Sequence, residues 1–289
     1  MGSSRICDRA SGSPSGVVPE LVQAAAFDHA TLAALVTAVY RDYWFPVVLD
    51  DAGFRRMVET SGIELELSRV AVVDDEPVGV TLVARRAREG WIGGMGVASE
   101  RRRRGLGRAM LTSALAATRE AGIDRVRLEV LEQNEPARAL YAELGFGHER
   151  DLEVWTLPGL PDDAPPSPTV GLDDALAWVV AHRATAEPWQ RADETTSRLR
   201  ALGEALELVV VGDADPRAIA VVRRHDRRVA VQHAAATDAP AATELVALVR
   251  AGADSVFWLN LPIDDPVQEA VAALGGEPAA RQLELALDL

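Results

Sequence analysis

An internal repeat constrains the fold of this 289-residue chain more than any other feature of its sequence. Residues 135–145 and residues 265–275 match at an offset of 130 positions, with proline, leucine and glycine at corresponding places. The same offset relates Gly122 to Gly252. A shared offset over such landmarks indicates two copies of one structural unit. A chain of this length also has room for two domains of ordinary size.

A Pro-rich polar stretch at residues 158–170 separates the two copies. Prolines remove amide donors and fix the backbone, so neither a helix nor a central strand can run through this stretch. Residues 1–16 are rich in Ser and Gly and lack the apolar core of a secretion signal. We therefore predict a flexible leader at 1–16, a first domain at 17–157, a linker at 158–170 and a second domain at 171–289.

Hydrophobic periodicity predicts the elements of the first domain. Apolar residues at helical spacing predict helices, and short apolar runs bounded by turn residues predict strands. Strands that precede and separate helices, with a hairpin in the middle, indicate a mixed α/β sheet. The predicted strands are 17–25, 68–73, 78–84, 91–97, 126–131 and 152–157, and the predicted helices are 33–40, 51–62 (with Asp51 as its cap), 106–120 and 136–144.

The segment 97–111 carries the most chemical information. A strand ends at Val97, a loop containing Arg102, Gly105 and Gly107 follows, and a helix begins there. Glycines leave the loop amides accessible, and a helix N-terminus adds unpaired donors and a positive dipole end. Such an arrangement suits a diphosphate. It is neither a dinucleotide fingerprint, because the third glycine is missing, nor a Walker loop, because the sequence contains no lysine.

These residues resemble the signatures of the GCN5-related N-acetyltransferase (GNAT) superfamily. The coenzyme A signature of that family, Arg/Gln-x-x-Gly-x-Gly/Ala after the fourth strand, is matched by Arg102, Gly105 and Gly107. Its next signature, an Asn after the fifth strand and a Tyr before Gly-Phe, is matched by Asn134 and Tyr141. The resemblance implies a mostly antiparallel acetyltransferase sheet flanked by helices, present here as two tandem copies.

The resemblance covers about residues 17–157, with two departures from the family pattern. Ser99 stands where many members have Pro, and Arg103 stands where Gly is frequent. Neither departure removes an amide donor from the loop. The family places acceptor specificity in the segment matched here by residues 40–62, where Trp44, Phe45 and Phe54 are candidates for an apolar acceptor pocket or for the core.

The resemblance implies acetyl-CoA as co-substrate and no metal. In the family the end of the fourth strand pairs with the pantetheine arm and offers a backbone donor to the thioester oxygen, while the glycine loop holds the diphosphate. The implied cofactor-binding residues are Met95, Gly96, Val97, Arg102, Arg103, Arg104, Gly105, Leu106, Gly107 and Asn134.

Two residues are implied in catalysis. Amide transfer from a thioester needs a deprotonated amine and an acid that protonates the leaving thiolate. The resemblance makes Tyr141 the acid, although a Tyr on an amphipathic helix is also typical of a core. Glu129, twelve residues before Tyr141 on the fifth strand, lies where some family members carry the base. A carboxylate beside an apolar channel can titrate near neutral pH, but strand glutamates often face solvent.

The second copy repeats the order of elements and lacks the polar features. Its loop at 231–240 has neither glycine nor arginine, and Asp264 and Val271 stand where the first copy has Asn134 and Tyr141. We therefore predict a degenerate acetyltransferase domain that binds no cofactor, with the two sheets facing a shared cleft. Its predicted strands are 206–211, 218–222, 228–235 and 255–261, and its predicted helices are 241–250 and 266–274.

Composition limits the other functions. A formal net charge of −14 opposes nucleic-acid binding and is compatible with a cationic amine acceptor. No apolar run is long enough to cross a bilayer, so we expect no membrane association and a cytoplasmic location. The single cysteine, Cys7, excludes an internal disulfide and a cysteine-cluster zinc site. The five histidines are scattered.

The leading interpretation is an N-acetyltransferase that acts on a primary amine of a small molecule or peptide, as a monomer or homodimer. A non-catalytic acyl-CoA-binding sensor or interaction module is the alternative from another class. Mycothiol synthase also has tandem acetyltransferase domains, but there the second copy is catalytic, the reverse of the pattern here.

Overall fold

The computed structural model describes residues 19–161, 170–212, 215–263 and 265–289. The predicted leader at 1–16 and most of the predicted linker lie outside these ranges. The first half contains β1 (Glu20–Gln23), α1 (His29–Val39), α2 (Asp51–Ser61), β2 (Arg69–Val73), β3 (Glu76–Arg86), β4 (Glu89–Val97), α3 (Leu106–Glu120), β5 (Arg125–Leu131), α4 (Glu135–Glu143) and β6 (Gly147–Pro158).

The second half repeats this order. Three of its elements have no counterpart in the sequence predictions: two helices at its start and a strand at its end. Its elements are α5 (Leu172–His182), α6 (Asp193–Ala201), β7 (Glu207–Val211), β8 (Ala218–His225), β9 (Arg228–Ala236), α7 (Ala239–Arg250), β10 (Ser255–Pro262), α8 (Pro266–Ala273) and β11 (Glu277–Asp288).

Side-chain caps set where several helices begin. Asp50 caps α2, since its Oδ1 accepts a hydrogen bond from Gly53 N at 2.7 Å. The prediction that Asp51 is this cap is therefore wrong by one residue. Asp51 lies in the first turn instead, where a carboxylate interacts favourably with the helix dipole.

All eleven described strands form one sheet, in the order β1-β2-β3-β4-β5-β11-β6-β10-β9-β8-β7. The mixed α/β fold in two tandem copies is confirmed, but the prediction of two sheets facing a shared cleft is wrong. The two halves join edge to edge because they exchange their last strands. β11 pairs antiparallel with β5 over seven residues, and β6 pairs antiparallel with β10.

The pairing of β4 with β5 is short and then opens. The two strands are parallel neighbours only over Glu89–Trp91 and Arg125–Arg127. Beyond this point β4 continues along β3, with an irregularity in its register between Ile92 and Gly94, while β5 continues along β11. The divergence leaves a gap in the middle of the first half's sheet.

Helices cover both faces of the sheet beside this gap. On one face α1 and α2 bury Leu32, Val36 and Phe54 against β3 and β4. On the opposite face α3 and α4 pack Leu111 and Tyr141 against β4 and β5. None of the described helices is long and apolar enough to span a membrane. Within the same part of the chain, no cluster of His, Cys, Asp and Glu is arranged to hold a metal ion.

Candidate functional site

A cleft of about 1040 Å³ opens where β4 and β5 diverge. The end of α1 and the residues after it, the end of β4, the start of α3 and one side of α4 form its walls. The structure brings nine predicted cofactor residues into the lining of this cleft: Met95, Gly96, Val97, Arg102, Arg103, Gly105, Leu106, Gly107 and Asn134. Trp44 also lines the cleft, whereas Phe54 is fully buried in the core and does not form an acceptor pocket.

The glycine loop has the geometry of an anion cradle. Gly105 has φ +82° and directly precedes α3, whose first turn has no side-chain cap. A Cβ at Gly105 would meet nothing within 4 Å, so the left-handed backbone, not a lack of space, favours glycine there. At Gly107 a Cβ would lie 2.9 Å from Met95 Cε. Arg103 also has φ +60°, at the position where the resemblance leads us to expect glycine.

The three arginines Arg102, Arg103 and Arg104 of this loop have different surroundings. Arg102 binds the protein itself: its Nε donates to Val97 O at 2.9 Å and its Nη2 donates to Val39 O at 3.3 Å. These bonds connect the loop to β4 and α1. Arg102 therefore fixes the position of the loop by donating to two backbone carbonyls. Arg103 lines the cleft, whereas Arg104 is outside its lining and its Nη2 donates to Glu100 O at 3.5 Å.

A tyrosine that is not among the predicted site residues binds the backbone at the open edge of β4. Tyr40, at the end of α1, accepts a hydrogen bond from Met95 N at 3.0 Å, and its hydroxyl is 3.4 Å from Met95 O. Within the segment 95–97 predicted to pair with the pantetheine arm, the amide of Met95 is therefore occupied by a side chain. Burial raises the pKa of Tyr40 to about 12, so its hydroxyl is protonated at neutral pH.

Asn134 caps α4 and faces the cleft. Its Oδ1 is 3.4 Å from Ala137 N, in the position of an N-cap acceptor. Its side chain also lies near Tyr43, whose pKa is raised because the ring is buried. The predicted pantetheine-binding residue is thus held in place by the first turn of its own helix.

Tyr141 lies on the core side of α4 and is only 7% exposed. Its ring packs edge-on against Phe146 at a centroid distance of 5.8 Å. Burial raises the pKa of Tyr141 strongly, and the nearby Tyr40 and Tyr43 add to this effect. The hydroxyl is therefore protonated at neutral pH, as an acid must be, although the ring is not part of the cleft's lining.

Glu129 is partly buried on the α1/α2 face of β5 and, like Tyr141, is not part of the cleft's lining. Trp91 Nε1 donates to its Oε2 at 2.7 Å, and Gln190 Nε2 donates to the same oxygen at 3.0 Å. Its Oε1 is buried and has no hydrogen-bond partner among the described residues. Burial raises the pKa of Glu129 from 4.5 to about 7. A carboxylate in this state can accept a proton near neutral pH.

A second carboxylate contributes to this raised pKa. Glu284 of β11 lies directly opposite Glu129 in the strand register and is 3% exposed. Its negative charge disfavours the ionised form of Glu129 and so raises the pKa further. Arg150 of β6 pairs with Glu284 at 2.5 Å and partly offsets this effect. The strand exchange thus places a carboxylate of the second half beside the candidate base.

The corresponding region of the second half differs in its chemistry. The N-terminus of α7 is capped by the carboxylate of Asp238, whose Oδ1 accepts from Ala241 N at 2.8 Å. This negative group stands where the first half has Gly105, and it opposes phosphate binding. Val271 is 1% exposed and belongs to the core. Asp264, the counterpart of Asn134, lies outside the described residues.

Four side chains around the candidate site are not among the predicted site residues. Trp91, Gln190 and Glu284 surround Glu129, and Tyr40 holds Met95. Only Tyr40 had a signal in the sequence, because it ends the apolar face of the predicted first helix. The other three reach the site through tertiary contacts.

A family comparison agrees with the position of the cleft. A model of the acetyltransferase (GNAT) family matches residues 35–146, the part of the chain that contains β4, the glycine loop, Asn134 and Tyr141. Among curated proteins, none matches this sequence.

Solved structures are similar over nearly the whole chain. A GCN5-related N-acetyltransferase from Sphaerobacter thermophilus has a TM-score of 0.66 at 16% identity, covering 94% of this chain and 95% of that one. A tandem GNAT protein from the clavulanic acid biosynthesis pathway has a TM-score of 0.65 at 17% identity, covering 94% and 98%. A GCN5-related N-acetyltransferase from Kribbella flavida has a TM-score of 0.57 at 19% identity, covering 94% and 71%. Similarity at this level of identity shows the shared fold.

Proposed function

Residues 35–146 belong to the acetyltransferase (GNAT) family, and on this premise we propose that the chain is an acetyl-CoA-dependent N-acetyltransferase that acts on a primary amine of a small molecule or peptide. The observation that carries the proposal is the cleft at the divergence of β4 and β5, with the uncapped N-terminus of α3 in its wall. Its dimensions and its backbone donors fit a diphosphate at one end and an extended arm along β4.

The divergence of the strands also separates the two proposed catalytic groups. Glu129 is hydrogen-bonded on the α1/α2 face of the sheet, and Tyr141 packs on the α3/α4 face. Acetyl-CoA, when bound, supplies the acetyl group as a thioester. Glu129 Oε1 accepts a proton from the amine, whose nitrogen bonds to the acetyl carbon. Tyr141 Oη would give a proton to the thiolate that leaves when the carbon–sulfur bond breaks.

Thiol release in the presence of an amine panel tests the proposed function. The purified full chain is incubated with acetyl-CoA and, one at a time, with polyamines, amino sugars, amino acid amides and peptides. We expect free thiol to appear with at least one class of amine and the acetylated product to be found by mass spectrometry. Tight coenzyme A binding with no thiol release from any amine would favour the acyl-CoA sensor instead.

The cradle is tested at Gly105. In Gly105→Val the left-handed backbone is strained by a β-branched side chain, so the loop shifts and coenzyme A affinity falls by about tenfold or more. Gly203→Val is the matched control, because Gly203 has φ +79° and a Cβ there would also meet nothing within 4 Å. Calorimetry of both folded variants with coenzyme A measures the difference. Equal affinity in the two variants would contradict the cradle assignment.

The stoichiometry of cofactor binding is a further expected result. Since Asp238 occupies the N-terminus of α7 and Val271 lies in the core, the second half should bind no coenzyme A. Titration calorimetry of the full chain should therefore give one coenzyme A per chain. Two per chain would show that the second half has a working cradle.

A further inference from the structure

The segment between α5 and α6, residues 183–192, belongs to the second half but contacts both halves. Its 3-10 turn at Trp189–Arg191 places three consecutive side chains in three different surroundings. Trp189 enters the core of the first half, Gln190 reaches Glu129, and Arg191 is buried in the second half. By order of elements, this segment lies between α5 and α6 as residues 40–50 lie between α1 and α2.

Trp189 fixes the turn to the first half. Its ring stacks on Trp91 at a centroid distance of 5.8 Å and an interplanar angle of 11°. Its Nε1 donates to Ser61 O at 2.9 Å, and the guanidinium of Arg86 lies over its ring at 3.9 Å. These contacts leave Trp189 8% exposed. Stacking, a hydrogen bond and a cation–π contact together define one orientation for the indole.

Arg191 fixes the other side of the turn to the second half. Its guanidinium pairs with Glu187 at 2.6 Å and donates to Asn260 O at 3.3 Å, and the residue is 2% exposed. A buried and paired arginine has little freedom to move, because separating the pair would leave an uncompensated charge. Gln190 is therefore presented between two fixed neighbours.

Gln190 and Trp91 bind the same oxygen of Glu129. Both donate to Oε2, while the buried Oε1 has no partner among the described residues. A carboxylate held by two donors on one oxygen cannot rotate without losing both bonds. The orientation thus leaves the buried Oε1 as the carboxylate oxygen with unused capacity to accept a proton.

We propose that Gln190, from the second half, is a positioning residue that holds the Glu129 carboxylate in the orientation required of a base. This inference rests on the proposed role of Glu129 in acetyl transfer. The charged groups that face Glu129 from the elements packed against it are Glu284 of β11 and Arg150 of β6. Gln190 and Trp91 are the uncharged donors that counteract Glu284, because a hydrogen bond to a carboxylate favours its ionised form.

Two variants separate this role from a structural one. Gln190→Leu removes the donor at similar volume, and Gln190→Glu keeps the shape but replaces the donor with a carboxylate. We expect the acidic limb of the pH profile of kcat/KM to move to higher pH by about 1 unit in Gln190→Leu. The shift should be larger in Gln190→Glu, which adds a like charge. Gln268→Leu is the matched control. Gln268 Nε2 also donates to a glutamate, Glu153 Oε2, at a distance of 3.1 Å, but this pair does not line the cleft.

A second measurement does not depend on turnover. The indole N–H of Trp91 is hydrogen-bonded to Glu129, so its resonance in a ¹H–¹⁵N NMR spectrum should titrate with that carboxyl. The six Trp signals are few enough to assign by replacing Trp91 with Phe. The midpoint of this titration should rise in both Gln190 variants and stay unchanged in Gln268→Leu.

The pH profile of kcat/KM and the titration of the Trp91 resonance together distinguish a failure of the proposed function from a failure of the proposal for Gln190. If the midpoint rises in the Gln190 variants but the full chain acetylates no amine, the positioning of Glu129 stands and the proposed function fails. If the wild-type chain acetylates an amine and both the resonance and the rate profile keep their midpoints in Gln190→Leu and Gln190→Glu, the proposal for Gln190 is overturned.

Discussion

Replacing Glu129 with glutamine is expected to lower kcat/KM for the acceptor amine by about 10²–10⁴-fold at pH 8, the range typical of a lost general base. Glutamine keeps the size of the side chain and an oxygen that can accept from Trp91, so the pocket should keep its shape. The wild-type rate should rise with pH through about 7, because the carboxyl must lose its proton before it can act. The variant should lack this limb of the profile.

Stability measurements provide the control for this variant. The folded-state pKa of Glu129 is raised, so the contribution of this group to stability is fully present below its ordinary pKa of 4.5 and is lost as pH rises through about 7. Glu129→Gln carries no charge to desolvate and should be at least as stable as the wild type at pH 8. A stable variant with a normal rate, when chemistry limits turnover, would remove Glu129 from the mechanism.

Tyr141→Phe is expected to reduce turnover by about 10²-fold or more while coenzyme A affinity changes little. Phenylalanine keeps the edge-on contact with Phe146, so only the proton donor is lost. Single-turnover kinetics measures the chemical step without product release, and calorimetry measures the affinity. The raised pKa of Tyr141 also predicts that wild-type activity shows no loss from ionisation of this tyrosine near neutral pH.

The interpretation of Tyr141 depends on the single-turnover rate. An unchanged rate in Tyr141→Phe would leave this tyrosine with a packing role only, as its 7% exposure would by itself suggest. A parallel fall in the rate and in coenzyme A affinity would instead point to a distorted cleft. The conservative substitution makes these outcomes separable.

The elements of the first half follow from local patterns in its sequence. The helix that begins at Leu106 has a glycine loop before it and a continuous apolar face, so its bounds could be predicted to the residue. The helix α6 could not be predicted in this way. Its sequence is mostly polar, with adjacent threonines at 195 and 196 that have low helix propensity and become buried only through tertiary packing.

The strand exchange could not be predicted from the sequence because the repeat itself hides it. β6 and β11 are each 12 residues long and occupy corresponding positions in the two copies. A local pattern predicts that each is a strand, but it does not predict whether that strand pairs within its own half or with the other half. The pairing with β5 and β10 depends on contacts between residues more than 90 positions apart along the chain.

The candidate site likewise contains residues that the sequence could predict and one that it could not. Gly105, Gly107, Asn134, Tyr141 and Glu129 lie within one continuous segment whose order carries a signature. Gln190 is 61 positions from Glu129 and occupies a turn with no signature of its own. Its importance depends on which side of the turn faces β5, and only the packing of Trp189 and Arg191 determines that.

The exchanged strands also set an order of events during synthesis of the chain. Pro158 ends β6 and Glu277 begins β11, so roughly 120 residues must be made before β5 finds the partner it has in the finished sheet. At about 5–20 residues per second, this interval lasts on the order of 6–25 s. During that time the first half leaves the ribosome with β5 and β6 unpaired along the edges that β11 will fill, and open strand edges favour pairing between chains. Slow translation of the second half would lengthen the time for which these strand edges are exposed.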